Sequence, residues 1–93
     1  MTESLLRGHR KFRREYAGDE REFLESLASK GQSPDALYIG CSDSRVVPEL
    51  LTSSSPGQLF VLRNVANLVP VFNDPDSSVG AAIEYAVSHL KVS

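Results

Sequence analysis

Leu37-Tyr38-Ile39-Gly40-Cys41-Ser42-Asp43-Ser44-Arg45 sets an apolar run directly against a thiol, a carboxylate and a guanidinium. Its apolar part, Ala36 to Ile39, has the continuous character of a short strand buried on both faces, as strands of parallel sheets usually are. In open α/β sheets, ligands sit just beyond the carboxyl ends of the strands. Cys41, Asp43 and Arg45 occupy that place in the sequence. Alternate side chains of an extended chain point the same way, so an extended segment here turns all three toward one crevice. A thiolate is a soft ligand for zinc, and a nearby cation lowers the thiol pKa. A carboxylate two residues on binds a metal or orients a water on it. Arginine matches a carboxylate bidentately and holds it in one orientation. The same residues also suit a small buried cysteine beside a local ion pair. Spacing alone leaves both readings open.

The rest of the chain supplies helices and one more strand. Thr2 to Tyr16 is predicted helical, with Leu5, Phe12 and Tyr16 on one face and Gly8 weakening it modestly. Arg7, Arg10, Lys11, Arg13 and Arg14 stand there against only Glu3 and Glu15. No nucleic-acid motif or interleaved aromatics accompany this basic cluster, so it reads as a solvated helix face. His9 on it is expected to be exposed. Asp19 with Glu22 has the form of an N-cap and its capping-box partner. Phe23, Leu24, Leu27 and Ala28 then stripe a short helix that Lys30 and a left-handed Gly31 close. Pro48 suits the first turn of a small helix containing Glu49-Leu50-Leu51. Leu59 to Leu62 is a second continuous apolar strand. Asn64 and Asn67 follow it, where asparagines satisfy backbone groups or take left-handed conformations. After a loop from Asn73 with Pro75, capped at Asp76 or Ser77, the helix 78–90 places Val79, Ala82, Ile83, Ala86 and Leu90 on one stripe. His89 reads as a helix-surface histidine.

With 93 residues the expected organisation is one domain, residues 1–93. It divides into a helical arm, 1–30, and a partial α/β core, 36–93. The single cysteine excludes an internal disulfide and fits a reducing compartment. No apolar run approaches the roughly 20 residues of a membrane span, and no signal-peptide pattern opens the chain. The net charge of −2 favours no particular partner. These features predict a cytoplasmic protein, or an organellar one whose transit peptide has been removed, with neither nucleic acid nor membrane as partner.

Several blocks resemble the β-class carbonic anhydrases. Cys41-Ser42-Asp43-Ser44-Arg45 is similar to the first zinc-site motif of that family, with Gly31-Gln32-Ser33-Pro34 preceding it at the family's distance. The stretch from Pro56 to Pro70, with Arg63-Asn64-Val65-Ala66-Asn67 inside it, resembles a second block. Gly80-Ala81-Ala82-Ile83-Glu84-Tyr85-Ala86-Val87 resembles a third. The similarity runs in order over residues 31–93 and is greatest to plant-like and related bacterial members.

The resemblance implies an α/β fold, N-terminal helices plus part of a parallel sheet, as a truncated form of that fold. It implies zinc-dependent reversible hydration of carbon dioxide to bicarbonate. Cys41 would be a zinc ligand. Asp43 would orient the zinc hydroxide or, in a closed form, bind the metal, and Arg45 would hold Asp43 off it. Gln32 would bind the substrate, from the neighbouring subunit's side of the cleft. Phe60, Val65 and Tyr85 would line the apolar pocket for carbon dioxide. N-terminal helices would pack on another subunit, in a homodimer or higher homo-oligomer. In the family the other two zinc ligands come from a His-x-x-Cys segment beyond the Gly80 helix, which these residues lack. The expectation is therefore the N-terminal part of such an enzyme, incomplete for catalysis alone, with an open sheet edge. Alternatives are a carbon disulfide or carbonyl sulfide hydrolase of the same fold, or a non-catalytic interaction module. A phosphatase or redox nucleophile fits least, because Cys41 and Arg45 are too close and no Cys-x-x-Cys is present.

Overall fold

The computed structural model describes residues 2–16, 18, 20–72, 74 and 76–93. Helix α1 spans Thr2–Glu15 and α2 spans Arg21–Lys30. Strand β1 is Ala36–Cys41, α3 is Pro48–Thr52, and β2 is Leu59–Asn64. A single 3-10 turn, Val65–Asn67, follows β2. Helix α4, Ser78–Glu84, continues into a π-helical turn, Tyr85–His89. The contacts divide the chain into two compact units, one up to Gly31 and one from Gln32 onward. Helices together with a parallel strand pair make the expected α/β fold class.

In the first unit, α1 carries Glu3 in its first turn and Arg13 and Arg14 in its last, which suits the helix dipole. None of its side chains is buried, and the basic face and His9 are exposed. Phe12 packs against Tyr16 with the rings tilted, their centroids 4.3 Å apart. Phe12, Tyr16 and Leu24 line an open notch between α1 and α2. Helix α2 begins after Glu20, which has helical dihedrals and makes no side-chain cap bond. The expected cap, Asp19, lies outside the described residues. Gly31 has the expected positive φ, 75°, but its ψ of −179° is extended rather than left-handed helical. That region is essentially restricted to glycine, so Gly31 turns the chain straight out of α2.

In the second unit, β1 and β2 pair in parallel, with Ala36 opposite Leu59 and Cys41 opposite Asn64. Both strands run two residues past their apolar stretches, because the backbone ladder continues through Gly40-Cys41 and Arg63-Asn64. The expected burial on both faces is not reached. Gly40 is buried, but the other β1 residues are half-buried, and β2 is half-buried apart from exposed Arg63. Two strands and the short helices of this unit do not suffice to cover two faces of a sheet.

The crossover carries α3. Pro48 sits at its first turn, where the missing N–H costs nothing, and is fully buried. Ser53, at φ 51°, ends α3 with its N–H on the carbonyls of Glu49 and Leu50. Ser77 is the N-cap of α4, its hydroxyl accepting the Gly80 N–H at 2.8 Å. Val79, Ala82, Ile83, Ala86 and Leu90 are half-buried or buried, as their spacing predicts, with Gly80 half-buried beside them and Ala86 completely buried. The single predicted helix widens after Glu84. The Leu90 N–H reaches the Tyr85 carbonyl five residues back, at 3.0 Å. Among the described residues, no helix is long and apolar enough to cross a membrane.

Candidate functional site

The end of β1 is where polar chemistry collects. Cys41 is the last residue of the strand and is half-buried. The chain does not stay extended beyond it. Asp43 starts a turn, its Oδ1 accepting the Arg45 N–H at 2.9 Å and its carbonyl accepting the Val46 N–H at 3.0 Å. This is the local side-chain-to-backbone bonding that aspartate favours. The expected one-face arrangement by strand alternation is therefore replaced by a turn that brings Arg45 back onto Asp43.

Arg45 and Asp43 form a two-point pair. Nε lies 3.0 Å from Oδ1 and Nη2 lies 2.7 Å from Oδ2. This fork geometry is the stronger kind of ion pair. The Arg45 side chain and then its backbone N–H hold the Asp43 carboxyl down to about 2, with a further pull from the Arg63 charge. Arg45 is pushed up in turn by the same bond. The carboxylate is thus ionised at any physiological pH and committed to Arg45.

Cys41 is drawn toward its thiolate. Its Sγ accepts the Asp43 N–H at 3.4 Å. That N–H, then the Ala66 N–H, pulls the thiol below its ordinary value, against burial and the Asp43 charge. Ala66 lies in the turn after β2, where it has φ 65° and ψ 21°. A left-handed alanine costs about 1–2 kcal/mol. Asn64 helps hold this turn, its side chain accepting from the Leu68 N–H at 2.7 Å and donating to the Leu68 carbonyl at 2.9 Å. Asn67 takes a positive φ of 43°. The two asparagines thus play the two parts that loop asparagines are expected to play.

Arg63 is a site residue that the sequence did not single out. It projects from β2, paired in register with Gly40. Its Nε donates to the Cys41 carbonyl at 3.0 Å and its Nη2 to the Asp43 carbonyl at 2.6 Å. The signal available was an arginine at the end of a second apolar strand, level with the start of the Cys41 motif.

The remaining expected residues fall into two places. Val65 directly follows Asn64, the partner of Cys41, and is largely exposed. Phe60 is level with Leu37, about 13 Å back along the strand from the level of Cys41. Tyr85 packs on Phe60, with ring centroids 5.8 Å apart, and His89 stacks on Tyr85 at 5.4 Å. Gln32 is exposed and precedes the amino end of β1, while Cys41 closes its carboxyl end. Within one chain, Cys41, Asp43, Arg45 and Arg63 come together; Gln32, Phe60 and Tyr85 do not join them.

A catalytic zinc takes three protein ligands and keeps one position open. Cys41 has the right donor chemistry. The Asp43 carboxylate is already held by Arg45. Among the described residues no three His, Cys, Asp or Glu side chains gather to hold a metal ion. Taken alone, these residues do not fit a catalytic zinc.

A family model of carbonic anhydrases matches residues 36–93. The carbonic anhydrase of Synechococcus elongatus is 47% identical over 88 residues, covering 95% of this chain and 32% of that protein. That of Pseudomonas aeruginosa is also 47% identical, with 40% of its length covered. Among solved structures, the β-carbonic anhydrase CcaA superposes with a TM-score of 0.90 at 44% identity, over 98% of this chain and 40% of the other. A tetrameric β-carbonic anhydrase from Sordaria macrospora gives 0.82 at 40% identity, over 98% of this chain and 44% of its own. The chain thus spans about a third to two-fifths of the curated relatives it matches. Well over half of it fits the family, and the thiol, carboxylate and guanidinium stand together at the end of a parallel strand: this chain belongs to the β class of the carbonic anhydrase family.

Proposed function

We propose that this chain serves the reversible hydration of carbon dioxide to bicarbonate and a proton. The observation that carries the reading is the two-point Asp43–Arg45 pair beside a thiol drawn toward its thiolate. β-Carbonic anhydrases are zinc enzymes, and a catalytic zinc supplies hydroxide near neutral pH. Cys41 is the residue here that suits such a metal. Asp43, ionised and held by Arg45, is an acceptor that orients a proton donor beside Cys41. Released from Arg45, its carboxylate is a further donor group for a metal. The His-x-x-Cys ligands of the family pattern are not among residues 1–93, so these residues alone are expected to bind zinc weakly and to leave hydration at its uncatalysed rate.

Gln32, Phe60, Val65 and Tyr85 are proposed to bind substrate and shape an apolar pocket. Because Phe60, Tyr85 and Gln32 lie away from Cys41 in one chain, a second copy would bring such residues to it. That favours a homo-oligomer, in keeping with the tetrameric state of the Sordaria relative. A location in the cytoplasm or an organellar matrix suits the lone reduced cysteine.

The test is zinc content and stopped-flow hydration of the protein purified from its native source. About one zinc per subunit, with hydration lost in Cys41→Ser and strongly reduced in Arg45→Ala, supports the reading. Metal-free protein without hydration overturns it. Hydrolysis of carbon disulfide or carbonyl sulfide in place of hydration would favour that related chemistry.

A further inference from the structure

Two arginines reach the Cys41–Arg45 turn, and they hold different parts of it. Arg45 bonds the Asp43 carboxylate. Arg63 touches neither the carboxylate nor the sulfur in any hydrogen bond of the described residues. It donates to two backbone carbonyls, those of Cys41 and Asp43. It does so from β2, whose backbone also takes the next ladder bond, Ser42 N–H to the Asn64 carbonyl at 2.7 Å. The Asp43 carbonyl also receives the Val46 N–H, so the Arg63 anchor lies on the atom that closes the turn.

We infer that Arg63 is the positioning residue of this site: it clamps the turn backbone to β2 through the Cys41 and Asp43 carbonyls, leaving the hydrogen bonding of the Asp43 carboxylate to Arg45. The backbone and the carboxylate are then held by hydrogen bonds from different side chains. The carboxylate can leave Arg45 by side-chain rotation while the turn stays in place. The Asp43 N–H remains on the Cys41 sulfur throughout. The clamp is a property of the turn and is measurable without substrate or metal. Its contribution to catalysis rests on the proposed hydration, and its existence does not.

The experiment is amide hydrogen exchange on the purified protein, with Arg63→Gln, Arg63→Lys and Arg45→Ala compared with the parent. In Arg63→Gln, exchange at Ser42 and Val46 should quicken about tenfold or more relative to the central β1–β2 ladder amides, as expected when charge-assisted bonds are lost. Arg63→Lys, which places one point charge where the fork spans two carbonyls, should fall between. Arg45→Ala should quicken the backbone amide at position 45, whose Asp43 acceptor is no longer ordered by the guanidinium, and leave Ser42 and Val46 near the parent rate. Unchanged exchange at Ser42 and Val46 in Arg63→Gln would overturn the inference. So would equal quickening of the ladder amides, which means general strand loosening, or an Arg45→Ala effect on Ser42 and Val46 as large as that of Arg63→Gln. If Arg63→Gln fails to fold, the same comparison is read from Arg63→Lys. A protein inactive in hydration that still shows the clamp would defeat the functional proposal and not this one.

Discussion

Replacing Asn64 with alanine tests how the loop after β2 is held against the site. The Asn64 side chain makes two bonds to Leu68, one to its N–H at 2.7 Å and one to its carbonyl at 2.9 Å. A typical hydrogen bond contributes about 0.5–1.5 kcal/mol net. Leu68 is 68% exposed, so water replaces part of what is lost. The expected cost of Asn64→Ala is therefore about 1–2 kcal/mol. For a domain of this size that lowers the melting temperature by roughly 4–16 °C. Asn64→Asp keeps the acceptor and loses the donor, so it should cost about half as much. Thermal unfolding followed by circular dichroism measures both. A second readout is Cys41 alkylation at fixed pH. Loosening the loop weakens the pull of the Ala66 N–H on the thiol, so the thiolate fraction and the alkylation rate should fall. Melting of Asn64→Ala within about 1 °C of the parent would refute the reasoning, as would unchanged alkylation in a variant that is clearly destabilised.

Other expectations concern the site and two glycines. Asp43 titrates near 2 when folded, against an ordinary 3.8, so its pairing contributes stability that is complete above the ordinary value and is lost as pH falls toward 2. Arg45→Ala should move the Asp43 inflection, followed by carboxyl carbon NMR, up toward the ordinary value; an inflection still near 2 would exclude Arg45 as the cause. In Gly40→Ala the new Cβ would lie 2.5 Å from Cε1 of Tyr38, so the ring must move, at about 1–3 kcal/mol in chemical denaturation. That cost should shrink in a Tyr38→Ala background, and equal costs in both backgrounds would show that the ring is not what Gly40 accommodates. Gly31→Ala forces a side chain into φ 75°, ψ −179° and should cost about 1–3 kcal/mol; a neutral substitution would mean that the chain leaves α2 by another route.

The elements set by side-chain pattern were legible in the sequence, and those set by backbone bonding were not. Ala36–Ile39 and Leu59–Leu62 announced two parallel strands by continuous apolar character. Their true ends, at Cys41 and Asn64, depend on ladder bonds that polar residues make equally well. The stripe from Val79 to Leu90 gave the last helix and its buried face. Its π turn is a change of backbone partner, from four residues back to five, and left no mark in residue type. The Asp43–Arg45 pairing was legible because both side chains lie in one short motif. Its turn was missed, although an aspartate between two serines is an ordinary signal for one. Arg63 was passed over because its acceptors are backbone carbonyls of a different segment. The separation of Phe60 and Tyr85 from Cys41 follows from strand register, which linear order does not carry.

The parallel pairing of β1 and β2 also decides where this chain tolerates added length. Every rung joins strands separated by the same crossover, whose middle is α3 and a polar turn through Gly57. Doubling the length of a flexible connection raises its closure cost by only about 0.6 kcal/mol. Pro48, buried at the start of α3, fixes the first half of the crossover. Extra residues are therefore best placed between Ser54, which still caps α3 through its N–H on the Glu49 carbonyl, and the Ser55–Gln58 turn, where they leave the strand register and the Cys41 turn untouched. The same span is where a reporter peptide or an affinity tag enters this fold at least cost.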